Sequence, residues 1–405
     1  MSKRKVQPSP SVPTEVLATD AEPKQAGRKR AKRASAPAAE QPAFTPPYPP
    51  SWYDRLARRI DRLPGPSWLA YLVLGVAGML VLTGFQMLAG GYHPGKYLAL
   101  HLFLGSQSAY LLGLMSLLDR SAAAALDTFR PVLDLPRRSR EGPADKGSSL
   151  EELRYRLTTL PPWPTLWASL AGVLLGVVIP LLVFRPPGTT AYSLSAAFAW
   201  GRIATGPGVV VVFLIQLAFS EAVAGVFIYH SIHQLREISR IYLTFARLNL
   251  YRLQPLYAFS VPAAITSGGL ILYNYAWFAA GPEFLAQPIS IALGVFFAAV
   301  AAVIFAWPLL GIHRRLVAEK RKALAESARR FEAAVAELHQ RVDKKAMTKM
   351  DDLNKALISL EIERAALQRV PTWPWEAGTL RGVAATLVLP LVIWLVQYIL
   401  QRILP

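Results

Sequence analysis

Seven apolar segments, at about 67–89, 97–118, 164–184, 207–230, 260–280, 288–311 and 379–401, restrict what this chain can fold into more than anything else in it. Each is long enough to cross a hydrocarbon core of ~30 Å at 1.5 Å per residue. In that medium every backbone N–H and C=O needs a protein partner, and runs this long without polar alternation meet the demand only as helices. The expected fold class is therefore all-α, a polytopic membrane protein with seven transmembrane helices. Its hydrophobic content of 53% lies in those runs and is not dispersed. Cysteine is absent, which excludes a disulfide framework, a thiolate metal site and a cysteine nucleophile.

A formal charge of +18 suggests nucleic acid until its distribution is read. Of the 44 Lys and Arg residues, 39 fall in the N-terminal arm and in three loops at 119–160, 231–254 and 312–377. Lys96, Arg185, Arg202 and Arg402 are on the other side, and Arg381 sits at the mouth of the last span. This is the positive-inside pattern. It predicts an integral, multi-pass protein with its N-terminus cytoplasmic and its C-terminus outside, and no nucleic acid partner. Residues 1–50 are rich in Pro, Ala and Lys/Arg and read as a disordered basic arm, with no signal peptide expected. The cluster Arg28, Lys29, Arg30, Lys32 and Arg33 is suited to a lipid bilayer with anionic headgroups. Within 51–66, Trp52, Leu56, Ile60 and Leu63 recur at helical spacing among Arg55, Arg58, Arg59 and Arg62, predicting an interfacial helix.

One stretch occurs twice. Ser149–Leu182 laid without a gap on Ser359–Val392, 210 positions further on, matches at 14 of 34 positions. The identities include Glu151/Glu361, Arg154/Arg364, Pro161/Pro371, Trp163/Trp373, Pro164/Pro374, Gly172/Gly382 and Pro180/Pro390. Each copy reads as an amphipathic helix, a Pro-x-Trp-Pro break and an apolar helix with a mid-span proline. Two three-helix units follow, 67–185 with its cytoplasmic section 119–160, and 255–405. Three crossings reverse the side of the chain, so parallel units need one more, supplied by the fourth span within 206–254. The plan is a 3+1+3 parallel internal repeat.

The second unit carries a long cytoplasmic section. Val317, Leu324, Ala328, Phe331, Val335, Leu338 and Val342 follow heptad steps, and Met350, Leu353, Leu357, Leu360 and Leu367 form a second series. One straight helix would end ~85 Å from the membrane. The chain must return, so 312–370 is expected as a helical hairpin or coiled-coil extension, broken at Asp343–Thr348, with Thr348 and Asp351 forming a capping box. Ser149 and Glu152 are the equivalent box in the first unit. The fourth span is expected to run on into the cytosol with Leu235, Ile238, Tyr242, Phe245 and Leu248 on one stripe. Such helices pack within a chain or between chains, which leaves a homo-oligomer and a cytosolic protein partner both open.

Chemistry-bearing residues are few. Glu221 is the sole carboxylate inside a predicted span, with Gln216 and Ser220 nearby. An acid at that depth faces a partner, water or a translocated ion, or else is a hydrogen-bonded joint between helices. His101, Ser106, Gln107 and Ser108 on the second span, and Ser267 and Asn274 on the fifth, form either a polar cavity or cross-helix bonds. Pro180 and Pro390 permit kinks at matching depths, and with Gln397 on the last span they complete the transport or gating candidates. Pro161, Trp163, Pro164, Pro371, Trp373 and Pro374 are the candidate structural elbows, their indoles suited to the headgroup level. His230, His233 and Glu237 share a helical face, but the outer two stand too far apart for one ion, and no metal site is expected.

No nucleotide-binding loop, dinucleotide fingerprint, zinc-protease motif or nucleophile elbow is present, so no catalytic residue and no cofactor is assigned. The 3+1+3 plan is similar to that of sugar-exporting and PQ-loop membrane proteins, whose Pro-Gln signature and short loops this chain lacks. Its cytoplasmic N-terminus, seven spans and inner helices resemble the insect odorant and gustatory receptor channels, with Gln397-Tyr398 in the final span as the sequence echo. Both likenesses imply a conduit, and neither assigns a family. The expectation is an integral membrane channel or transporter whose cytoplasmic helices gate or oligomerise it. The alternative is a non-conducting receptor or scaffold recruiting a cytosolic partner through 312–370.

Overall fold

The computed structural model describes residues 44–88, 94–134, 150–178, 207–280, 288–346, 348–375, 378–386 and 388. Pro180, Pro390 and Gln397, the basic cluster at 28–33, Ser149 and most of the expected seventh span lie outside them. The described residues form helices throughout and no strand. In order these are α1 (Trp52–Ile60), α2 (Ser67–Leu88), α3 (Pro94–Phe129), α4 (Leu150–Thr158), α5 (Pro162–Val173), α6 (Pro207–Thr244), α7 (Ser260–Ala280), α8 (Pro288–Asp343) and α9 (Met350–Arg369). A π-helical turn, Leu174–Val178, extends α5. Among the described residues six helical segments are long and apolar enough to cross a membrane, and they overlap the first six of the seven expected spans.

α1 starts where its sequence supplies a cap. Ser51 Oγ accepts from the Asp54 N–H, and the Asp54 carboxylate accepts from the Ser51 N–H, closing a capping box. The same carboxylate accepts from the Leu160 N–H at 3.1 Å and so ties α1 to the break before α5. Trp52 adds a second tie, its indole N–H donating to Ser169 Oγ at 3.0 Å. The apolar face of α1 packs on protein, with Trp52, Leu56 and Ile60 against a core of Tyr53, Leu111, Met115, Val226 and Phe227. Leu63 remains exposed.

α3 and α6 form the centre of the bundle, α3 touching α2, α4, α6 and α7, and α6 touching α2, α3, α4, α5 and α8. Both run far past the length a membrane needs. At their C-terminal ends Leu133 and Ala246 make an isolated antiparallel bridge, with Asp134 N–H donating to Phe245 O and Arg247 N–H to Val132 O. The largest core lies here, centred on Phe129, Tyr242 and Phe259, whose ring centroids are 5.3 to 5.5 Å apart. The α6 stripe expected beyond the span is part of it: Leu235, Ile238, Tyr242 and Phe245 are buried.

α8 and α9 form the expected hairpin at this same end, with the chain turning between Asp343 and Met350. The cap is not the predicted one. Lys349 takes the N-cap position in a left-handed conformation without a side-chain hydrogen bond, and the Thr348 carbonyl accepts from Arg341. At the hairpin's base two cations of α8 satisfy carbonyls that helix ends leave unpaired. Arg315 donates to Tyr242 O, Leu243 O and Ala246 O at the end of α6, and Lys320 to Gln368 O and Val370 O at the end of α9.

The two Pro-x-Trp-Pro breaks are built differently. In the first, Pro161 is the N-cap of α5 and Pro162 its first residue, which suits proline because it has no N–H to leave unpaired. Trp163 is then in the first helical turn, 70% exposed on the outside of the bundle. In the second, the chain stays non-helical through 375 and is helical again over 378–386. Trp373 there is stacked between His313, at 3.8 Å, and Trp375, at 4.4 Å.

Candidate functional site

Three glycines and an alanine at helical spacing bring two spans into backbone contact. Ala168, Gly172 and Gly176 recur every fourth residue on α5 and its π-turn, facing Glu221 and Gly225 on α6. A Cβ added at Gly172 would stand 2.1 Å from the Glu221 carbonyl oxygen, and one at Gly225 would stand 2.1 Å from the Ala168 carbonyl oxygen. Only glycine fits either place. This is the small-x-x-x-small packing of membrane helices, which rests on close approach in the absence of a hydrophobic drive between spans.

That crossing positions the Glu221 side chain. A Cβ at Gly176 would fall 2.4 Å from Glu221 Oε2, so the carboxylate occupies the space that residue leaves empty, opposite the middle of the π-turn. Its other oxygen, Oε1, accepts from Gln107 Nε2 at 3.2 Å. Gln107 is buried on α3 and donates at 2.6 Å to the Tyr273 hydroxyl on α7. Tyr273 stacks on Tyr110, whose own hydroxyl donates to Gly269 O at 2.8 Å. One carboxyl, one amide and one phenol thus connect α3, α5, α6 and α7. Among the described residues no cation pairs with Glu221, and no group of three or more His, Asp and Glu stands together as a metal site.

Gln216 is not in this cluster. Its amide donates to Leu104 O at 3.3 Å and fits beside Gly78, where a Cβ would meet it at 2.8 Å, so it fastens α6 to the α2–α3 crossing. His101 likewise serves helix joining: Nε2 donates to Gln86 Oε1 and Nδ1 accepts from Thr83, both on α2. Ser106 turns back to Leu102 O. Ser267 is buried with its hydroxyl unbonded.

The His230, His233 and Glu237 face is divided among separate partners. His230 Nε2 is 2.8 Å from Asp119 Oδ1, and Tyr53 donates to the other oxygen of that carboxylate. His233 donates to Arg156 O, and Glu237 pairs with Arg240. These contacts join α6 to α1, α3 and α4.

The sequence reading found Glu221 and Gln107 but not the residues that complete their setting. Tyr273 lies in an apolar run where an aromatic residue gives no polar signal. Gly176 was legible only as the last step of the Ala168-Gly172-Gly176 spacing. Compared with protein-family models, curated proteins and solved structures, the chain matches none of them.

Proposed function

We propose that this chain is a seven-span membrane conduit in which Glu221 takes up and releases the transported ion. The single observation that supports it is the carboxyl of Glu221, set in a span among four helices with Gln107 as its hydrogen-bond donor. An acid held at that depth without a cationic partner is costly, and function is the usual reason for its presence. The cluster also bridges the proposed units: α3 and α5 belong to the first, α6 is the linking span, and α7 opens the second. That is where a pathway between two repeats would run. A proton is the suited ion, because it needs one carboxyl, whereas a dehydrated metal cation needs several oxygen ligands. The π-turn at Leu174–Val178 supports a moving part there, since single π-helical turns recur at functional sites.

In this reading the hairpin end is cytoplasmic, and the 312–370 hairpin gates the conduit or holds a second copy. Reconstitution tests it. Vesicles carrying the protein are expected to dissipate an imposed pH gradient faster than empty ones, and Glu221→Gln to abolish the difference. The scaffold reading is favoured by one feature, the exposed Ile358 and Ile362 one turn apart on α9, at 48% and 65% exposure. It predicts no flux from either protein and loss of a cytosolic partner when 312–370 is removed.

A further inference from the structure

A groove of about 790 Å³ runs along the outside of the bundle, with α3 as its floor and α2 and α7 as its walls. It is separate from the Glu221 carboxyl, although Gln107 and Tyr273 line it at one end. Its other end, toward the hairpin, is marked by Trp68, Ser116 and Arg120. We propose that the groove is a binding site for one phospholipid with an anionic headgroup, drawn from the leaflet at the hairpin end.

Three features of the lining select that occupant. First, the polar side chains along the floor have their hydrogen bonds met within the protein: Ser106 donates to Leu102 O, Tyr110 to Gly269 O, and Gln107 to Tyr273 and Glu221. What remains facing outward is hydrocarbon, including Leu72, Leu117 and Leu272, each at least half exposed. Second, Arg120 stands at the hairpin-end mouth. Its Nη2 serves Asp61, Ser67 and Ser116, and the side chain is 55% exposed, which leaves the rest of the guanidinium for a phosphate oxygen. Arg59 and Arg62, both exposed and within two residues of Asp61, add positive charge near it in the sequence.

Third, the lengths agree with a chain-bearing ligand. From Arg120 to Phe103 the floor rises ~25 Å at 1.5 Å per residue, beyond the ~15 Å of half a hydrocarbon core. An acyl chain lying along α3 fills such a slot, and a compact solute does not. Gly113 and Tyr71 both line the slot, and a Cβ at Gly113 would just reach the Tyr71 ring at 3.4 Å, so α2 and α3 pack closely there. Trp68, 64% exposed at the mouth, is placed where an indole favours the headgroup layer. This proposal needs the spans to lie in a bilayer but not the proton conduit, so either can fail alone.

The test uses the full chain in phosphatidylcholine vesicles with a trace of phosphatidylglycerol carrying a photoreactive acyl chain, or the matching phosphatidylcholine probe. After irradiation, peptides are mapped by mass spectrometry. The phosphatidylglycerol probe is expected to label the 72–76 and 113–117 segments several-fold above the exposed face of α8 at Val303 and Trp307, and several-fold above the phosphatidylcholine probe. Leu117→Trp, which fills the slot from an exposed position, should reduce groove labelling to the level of α8. Arg120→Gln should retain labelling but remove the preference between headgroups. Equal labelling of groove and α8 overturns the proposal, as does labelling that Leu117→Trp leaves unchanged in a protein eluting like wild type. A preference that persists in Arg120→Gln overturns the assignment of the headgroup to Arg120.

Discussion

At the scale of single residues, the sharpest contrast is between glycines that the repeat pairs. Gly172 and Gly382 are paired by the sequence match, yet a Cβ at Gly172 would collide with α6, and one at Gly382 would meet nothing within 4 Å among the described residues. Gly382→Ala is accordingly expected to be neutral or to stabilise by up to about 1 kcal/mol through helix propensity. Gly225→Ala drives the new Cβ to 2.1 Å from the Ala168 carbonyl oxygen and is expected to cost roughly 3 kcal/mol. Thermal unfolding in detergent distinguishes the two, and equal effects would mean that α5 and α6 do not cross here. Asp54 offers a second handle, outside the spans. Burial, the largest influence, pushes its carboxyl above the usual range, while the Ser51 and Leu160 hydrogen bonds pull it down. A folded value above the unfolded one means that the native state binds the extra proton, so stability is greatest in acid and falls as pH rises through the folded value. The wild type is thus expected to lose stability relative to Asp54→Asn as pH rises above the ordinary carboxylate range. A parallel pair of melting curves across that window would contradict the assignment.

At the scale of elements, the long helices and the hairpin were legible because hydrophobic periodicity registers burial directly, as in the α6 stripe from Leu235 to Phe245. The chain turns between Asp343 and Met350, near the break expected from the need to return. The cap there is not the expected one, because capping depends on backbone conformation at two residues. Lys345 and Lys349 both adopt positive φ, and Arg341 engages the Thr348 carbonyl, an arrangement that no short motif announces. The elbows show the complementary limit. The shared Pro-x-Trp-Pro pattern leaves Trp163 on the outside and Trp373 in an aromatic stack, because the second break lies against His313 of α8 and Trp375. Trp373→Ala is expected to destabilise by about 2 kcal/mol through lost burial and stacking, and Trp163→Ala by well under half of that. Denaturant midpoints check this, and a larger loss at Trp163 would refute it.

At the scale of the whole molecule, six helical segments among the described residues are of spanning length, four of them packed around the other two, α3 and α6, and the proposed topology adds a seventh crossing and an inner hairpin. A chain without cysteine is ready for single-cysteine labelling. A cysteine at Glu332 on the hairpin and one at Arg33 should both react only when the cytoplasmic side is opened to an impermeant thiol reagent, and one at Arg402 only from outside. Arg33 and Arg402 labelled from the same side would exclude an odd number of crossings. The proposed function rests on Glu221, which the sequence singled out by its isolation and which the fold joins to Gln107. A hydrophobic carbodiimide reads that role most directly, since it reacts with protonated carboxyls within the bilayer. The account predicts modification at Glu221 that is faster in acid and lowers proton flux to the level of Glu221→Gln. Full modification of Glu221 with flux unchanged would contradict it.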